Sequence, residues 1–212
     1  AARARPAELK ALPPDPPPRE DAAALFALAA PAIPMIRTQD GIGSSFLISA
    51  TGLLLTNHHV VGDETEVGVV VRLSPKEAER TLKGLVLATD AHRDIALVLV
   101  PELQGKLAPL RLAPPVLPRT GERVLAIGHP GMGAMVLTHT LTEGLISNAA
   151  RRVAGQDYLQ LSAAVNPGNS GGPVLRYNAQ IIGMVTLKAE LENVGFAVPL
   201  TDLYDFLTHE GI

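Results

Sequence analysis

The sequence predicts an all-β protein built as two β-subdomains, on three observations. From Ile33 onward, short β-branched or apolar runs alternate with Gly, Asn, Asp and Pro, the signature of a sandwich or barrel. Long helical periodicity is missing until "TDLYDFLTHE" at the end. Midway, "PLRLAPPVLPRTGE" separates two strand sets of similar size and reads as a linker.

In chain order, residues 1–32 form an arm and a short helix. "PPDPPP" favours extended polyproline and cannot sit inside a helix. "EDAAALFALAAPAI" then sets acidic residues ahead of an Ala/Leu run, a helix start that Pro31 and Pro34 stop. A packed lead-in suits this stretch better than an amphipathic membrane helix. The first strand set spans 33–108: "SSFLIS", "LLLTN", "EVGVVVRL", "LKGLVLAT" and "IALVLV". The linker takes 109–118. The second set spans 119–200: "RVLAIG", "MVLTHTLTEGLIS", "YLQLS", "PVLRY", "IIGMVTLK" and "VGFAVP". A helix closes the chain over 201–212, with Thr201 or Asp202 as its expected cap.

Composition excludes several classes of function. With 18 basic against 21 acidic residues and no Lys/Arg block, neither nucleic acid nor an anionic membrane is an expected partner. No apolar run approaches the ~20 residues of a membrane span. There is no cysteine, which rules out disulfides, thiolate catalysis and Cys-based zinc sites. "AARARPAELK" is compatible with the product of signal-peptide cleavage, so a periplasmic or secreted setting is favoured over a cytoplasmic one.

Three stretches carry possible chemistry. In "LLLTNHHVVGD" a strand ends at Thr56-Asn57 and two histidines follow. They read as a general base at a strand end, or equally as a surface pair in a turn. Metal binding is the weaker reading, because neighbours on a strand face opposite ways and no HExxH pattern exists. In "ATDAHRDIALVLV" Asp94 directly precedes an apolar strand, where a carboxylate needs a donor to stay charged. Asp90 competes for that role, but its neighbours look solvated and it suits turn chemistry. In "VNPGNSGGPV" Ser170 lies between Gly168-Asn169 and Gly171-Gly172. That is a glycine-rich hairpin, or a nucleophile whose neighbouring N–H groups are free to meet an oxyanion. Taken together, His, Asp and Ser in that chain order, on antiparallel strand sets, match the order of the two-barrel serine proteases.

At this point the chain resembles the trypsin-like serine peptidases, specifically the protease domain of the HtrA (Deg) group. The matching text is "GIGSSFLIS", "LLLTNHHVV", "RDIALVLV", "VLAIGHPG", "LTEGLIS", "LQLSAAVNPGNSGGPVL" and "GFAVPL", over about residues 33–205. The resemblance implies two perpendicular antiparallel β-barrels of the chymotrypsin-like kind, polypeptide substrates, no cofactor and no metal. It also implies roles by position. His59, directly before Val60, is the base, and His58 falls in a variable place. Asp94 orients His59, and Ser170 is the nucleophile. Gly168 and Ser170, with Asn169 between them, form the oxyanion hole. Thr186 is the hydroxyl behind the aspartate, and Thr186, Leu187 and Lys188 pair with the substrate backbone. Ala164, at the place that decides charge selectivity, offers no countercharge, so small or medium aliphatic P1 residues are expected. Lys188 and Glu190 can modify the rim. Asn169 cannot form the ion pair with a new N-terminus that activates digestive zymogens. Regulation by loop rearrangement is expected instead, in "GHPGMGAMV" and "NAARRVAGQD". HtrA proteins usually continue into PDZ domains and trimerise through N-terminal segments. A chain ending at Ile212 is therefore expected to be an excised protease domain or a PDZ-less relative.

Overall fold

The computed structural model describes residues 21–74, 76–132, 135–188 and 194–212, with Met132, Leu187 and Lys188 described by backbone alone. The Pro-rich arm and Glu190 lie outside the described residues.

The chain enters through helix α1 (Ala22–Ala29), capped by the Asp21 carboxylate, which accepts the Ala23 N–H at 2.9 Å. That bond satisfies one of the amides a helix start leaves open. Leu25 and Ala29 are fully buried, so the helix is packed against the core. A 3₁₀ turn carrying Pro31 ends it.

Seven strands make the first sheet: β1 (Met35–Arg37), β2 (Ile42–Ser44), β3 (Phe46–Leu47), β4 (Leu53–Thr56), β5 (Glu66–Val71), β6 (Arg80–Asp90) and β7 (Ile95–Leu99). Their order is β2-β1-β5-β6-β7-β4-β3, antiparallel throughout. Only Ser45 separates β2 from β3, yet the two stand at opposite ends of that order. The sheet must therefore curl back on itself, which removes the exposed edges an open sheet would carry.

The second sheet uses β8 (Arg111–Leu112), β9 (Arg123–Gly128), β12 (Thr140–Val153), β13 (Gln156–Leu161), β14 (Pro173–Leu175), β15 (Gln180–Lys188) and β16 (Gly195–Pro199). The order is β14-β9-β12-β13-β16-β15-β8, and an added β14–β15 pairing closes it. A small hairpin, β10 (Gly131–Met132) with β11 (Met135–Val136), stands apart. β8 falls inside the stretch read as linker, and it joins β15 as a parallel neighbour. Buried Leu, Val, Ile and Ala from both sheets form one continuous core, as the scarcity of aromatics requires.

Two local readings are corrected. His58 and His59 do not continue a strand. They open a one-turn helix, α2 (His58–Val61), because β4 ends at Thr56 and the chain turns over Asn57. The two side chains therefore diverge by about 100° and do not face opposite ways. The last helix, α3 (Leu200–His209), starts at Leu200 with Pro199 at the cap position, so neither Thr201 nor Asp202 caps it. β16 runs directly into the helix through Pro199, whose φ of −70° suits that junction.

Candidate active site

The site lies where α2 and the start of β7 from the first sheet meet the "PGNSGG" turn and β15 from the second. Asp94 sits at φ +58°, between β6 and β7. This is an uncommon conformation for a non-glycine residue. It is held there by the Asn57 side-chain amide, which donates to the Asp94 carbonyl at 2.9 Å. The carboxylate faces α2. It accepts from His59 Nδ1 at 2.8 Å (Oδ2) and 3.0 Å (Oδ1), and from the His59 backbone N–H at 2.9 Å. Thr186 Oγ1 also donates to Asp94 Oδ2. Burial pushes the Asp94 carboxyl upward, but the bonds from His59 and Thr186 outweigh it and hold the group below the usual carboxylate range. An ionised carboxylate only accepts, so the proton of this contact sits on His59 Nδ1, and in the neutral ring Nε2 is then the nitrogen with the lone pair. Asp90, the competing acid, is tied to its own turn through the N–H groups of His92 and Arg93 and the Arg93 guanidinium.

Ser170 and His59 line the same cleft, of about 240 Å³, with Gly168, Pro167 and Val60. The Ser170 hydroxyl donates to the Thr186 carbonyl at 2.9 Å, and among the described residues it makes no bond to His59.

The turn before Ser170 has a defined shape. Asn169 N–H donates to Asn166 C=O at 2.9 Å across Pro167-Gly168, and Gly168 takes φ +95°. Proline followed by a left-handed glycine is the type II turn pattern. A side chain at Gly168 would also collide with the His129 carbonyl. The Gly168 and Ser170 amides have no hydrogen-bond partner among the described residues. Ala164 is exposed, and its carbonyl accepts the Thr142 hydroxyl at 3.1 Å. Leu187 and Lys188 continue β15 past Thr186, where the ladder to β16 breaks register between Val185 and Lys188. The structure thus brings His59, Asp94, Ser170 and Thr186 together, and sets Gly168 and Asn169 beside them.

Sequence reasoning missed Ser44 and His129, both buried behind the turn. Both lie within matching text, "GIGSSFLIS" and "VLAIGHPG", but no local signal ties either side chain to the Ser170 turn. His129 Nε2–H donates to the Ile33 carbonyl at 2.8 Å, and Nδ1 accepts the His139 backbone N–H at 3.2 Å. The His139 ring packs edge-on, 4.6 Å away. Only the neutral imidazole satisfies both bonds. Burial first, and the His139 charge after it, lower the His129 pKa from 6.5 to about 4. The unfolded chain therefore binds more protons between those values. The stability contributed is fully present above about pH 6.5 and is lost as pH falls toward 4. The loss is on the order of 3 kcal/mol. Urea unfolding from pH 7 to 4.5 is expected to show this decline, with a shallower slope in His129→Asn. Equal slopes would contradict the assignment.

Residues 43–184 match the family model of the trypsin-like peptidase domain. The chain is 35% identical over 172 residues to a "probable periplasmic serine endoprotease DegP-like" of Pseudomonas putida, covering 77% of this chain and 33% of that protein. It is 36% identical over 172 residues to serine protease HTRA1 of Xenopus tropicalis, covering 78% of this chain and 35% of the relative. The chain thus spans about a third of the length of these curated relatives. A crystal structure of the serine endoprotease from Yersinia pestis superposes with TM-score 0.74 at 27% identity, covering 90% of this chain and 66% of that one.

Proposed function

Since the chain belongs to the trypsin-like peptidase family, we propose that it is a serine endopeptidase whose triad is His59, Asp94 and Ser170. The observation that carries the reading is the contact between Asp94 and His59 Nδ1, which leaves Nε2 basic in the cleft that Ser170 lines. In the proposed reaction Ser170 Oγ attacks the scissile carbonyl while His59 Nε2 takes its proton. The tetrahedral oxyanion accepts from the Gly168 and Ser170 amides, with Asn169 as the link between them. His59 then returns the proton to the leaving amine, and water repeats the sequence on the acyl-enzyme. Asp94 stays ionised and stabilises the imidazolium, and Thr186 Oγ1 steadies Asp94.

Thr186, Leu187 and Lys188 are the proposed docking strand for the substrate main chain, a β-augmentation that selects weakly among side chains. A substrate N–H bonded to the Thr186 carbonyl displaces the Ser170 hydroxyl from it and frees that hydroxyl to rotate toward His59. With Ala164 offering no charge, P1 preference falls on small or medium aliphatic residues. Broad main-chain recognition fits HtrA-like protein quality control, in the periplasmic or secreted setting that the DegP-like relatives' names suggest.

A fluorophosphonate probe is expected to label wild type at Ser170 and to leave Ser170→Ala unlabelled. Wild type that resists labelling, even when warmed with peptide activators, would sink the peptidase reading. Sequencing the fragments of digested casein tests the pocket, with Val, Ala, Ile and Leu expected at P1. Dominant cleavage after Arg or Lys contradicts the role given to Ala164.

A further inference from the structure

The bonds of the Pro167–Ser170 segment follow a rule. Each of its four carbonyls is held from behind. Pro167 C=O accepts Gly131 N–H at 3.0 Å, and Asn169 C=O accepts Gly172 N–H at 2.9 Å. Ser170 C=O accepts Ser44 N–H at 2.7 Å, and Gly168 C=O accepts the Ser44 hydroxyl at 2.7 Å. In a trans peptide the N–H points opposite to the C=O of the same plane. Holding the Pro167 and Asn169 carbonyls therefore turns the Gly168 and Ser170 amides the other way. The plane between these two donors is Gly168–Asn169. Its N–H is bonded to Asn166, so only the Ser44 hydroxyl holds its other end.

We infer that Ser44 is a positioning residue for the oxyanion turn, acting through its side-chain hydroxyl. Ser44 is fully buried, and its hydroxyl both donates to Gly168 C=O and accepts His129 N–H at 2.9 Å. Its own carbonyl accepts the Thr56 hydroxyl at 2.7 Å. β4, β2 and the His129 segment are thereby joined to the turn through one residue: Ser44 Oγ links the turn to His129, and the Ser44 carbonyl takes the Thr56 hydroxyl of β4. Gly128 lies against Ser44 Oγ, and a Cβ there would come within 2.9 Å of it. An alanine at position 44 takes from the buried Gly168 C=O and His129 N–H the side-chain partner they share. The central peptide then gains a reason to rotate, which carries the flanking donors off the position of the developing charge.

The inference rests on the serine peptidase reading, and its test separates the two. Ser44→Ala and Ser44→Cys are compared with wild type on one fluorogenic peptide and two inhibitors built on the same peptide. One is an aldehyde, whose hemiacetal oxygen occupies the oxyanion position. The other is a reduced-bond analogue that has no carbonyl oxygen and binds only by main-chain pairing. Ser44→Ala is expected to lower kcat roughly 30-fold with KM within about threefold, and to weaken the aldehyde by roughly the same factor. The reduced-bond analogue keeps its affinity. Ser44→Cys, near in volume and a weak donor, falls between; if the alanine variant does not fold, the cysteine variant is read by the same ratio. Unchanged aldehyde affinity, or parallel weakening of both inhibitors, overturns the role of Ser44 while leaving the peptidase reading intact. A wild type that neither cleaves the peptide nor takes a fluorophosphonate at Ser170 overturns the peptidase reading, and this inference with it.

Discussion

Ser170→Ala is expected to lower kcat on peptides by about 10⁶-fold, with KM and unfolding temperature close to wild type. The asymmetry follows from what the hydroxyl touches. Its one bond among the described residues is to the Thr186 carbonyl, and Ser170 itself lines the cleft, where water can replace the lost hydroxyl, so the fold loses little. In the proposed mechanism the chemistry loses the atom that forms the acyl bond. The Gly168 and Ser170 amides belong to the backbone and survive the substitution, so a small residual rate from oxyanion stabilisation and binding remains. Steady-state kinetics with a fluorogenic peptide, beside thermal melts, check both halves. An alanine variant that turns over at a rate comparable to wild type removes Ser170 from the mechanism.

Asp94→Asn is expected to lower kcat by about 10⁴-fold, the second largest effect. Asparagine matches the shape of aspartate but carries one acceptor oxygen and one NH₂. Asp94 accepts from His59 Nδ1, the His59 N–H and Thr186 Oγ1. An amide cannot serve all three, and its NH₂ favours the imidazole tautomer that presents Nε2–H to the cleft. That tautomer cannot take the proton of Ser170. Asp90→Asn is the matched control and is expected to leave kcat within about twofold, because Asp90 serves its own turn. A large loss from Asp90→Asn and none from Asp94→Asn reverses the assignment.

How much of this was legible in the chain differs from residue to residue. Short alternating strands and the split at "PLRLAPPVLPRTGE" carried the two-sheet architecture, because strand periodicity is local. The triad candidates were legible through motif text and chain order. Asp90 against Asp94 was weighed by neighbours, since Ala91, His92 and Arg93 look solvated and suit a turn, whereas Asp94 abuts the apolar "IALVLV". The helical turn at His58–Val61 was missed, since four residues are too few for periodicity to register. The parallel strand at Arg111–Leu112 was missed because its partner is far away in the chain.

The sequence by itself determined the strand-rich character, the absence of cysteine chemistry and the candidates for the reactive side chains, all of which depend on residue type and near neighbours. Only the tertiary structure decided which groups those side chains meet. It set His59 Nδ1 on a carboxylate 35 residues away, and it hung the Ser170 hydroxyl on the Thr186 carbonyl in place of His59. It also placed the Ser44 hydroxyl on a carbonyl 124 residues along the chain. Hydrogen bonds depend on distances of tenths of an ångström between groups that only the closed sheets bring together, and no local pattern encodes that meeting.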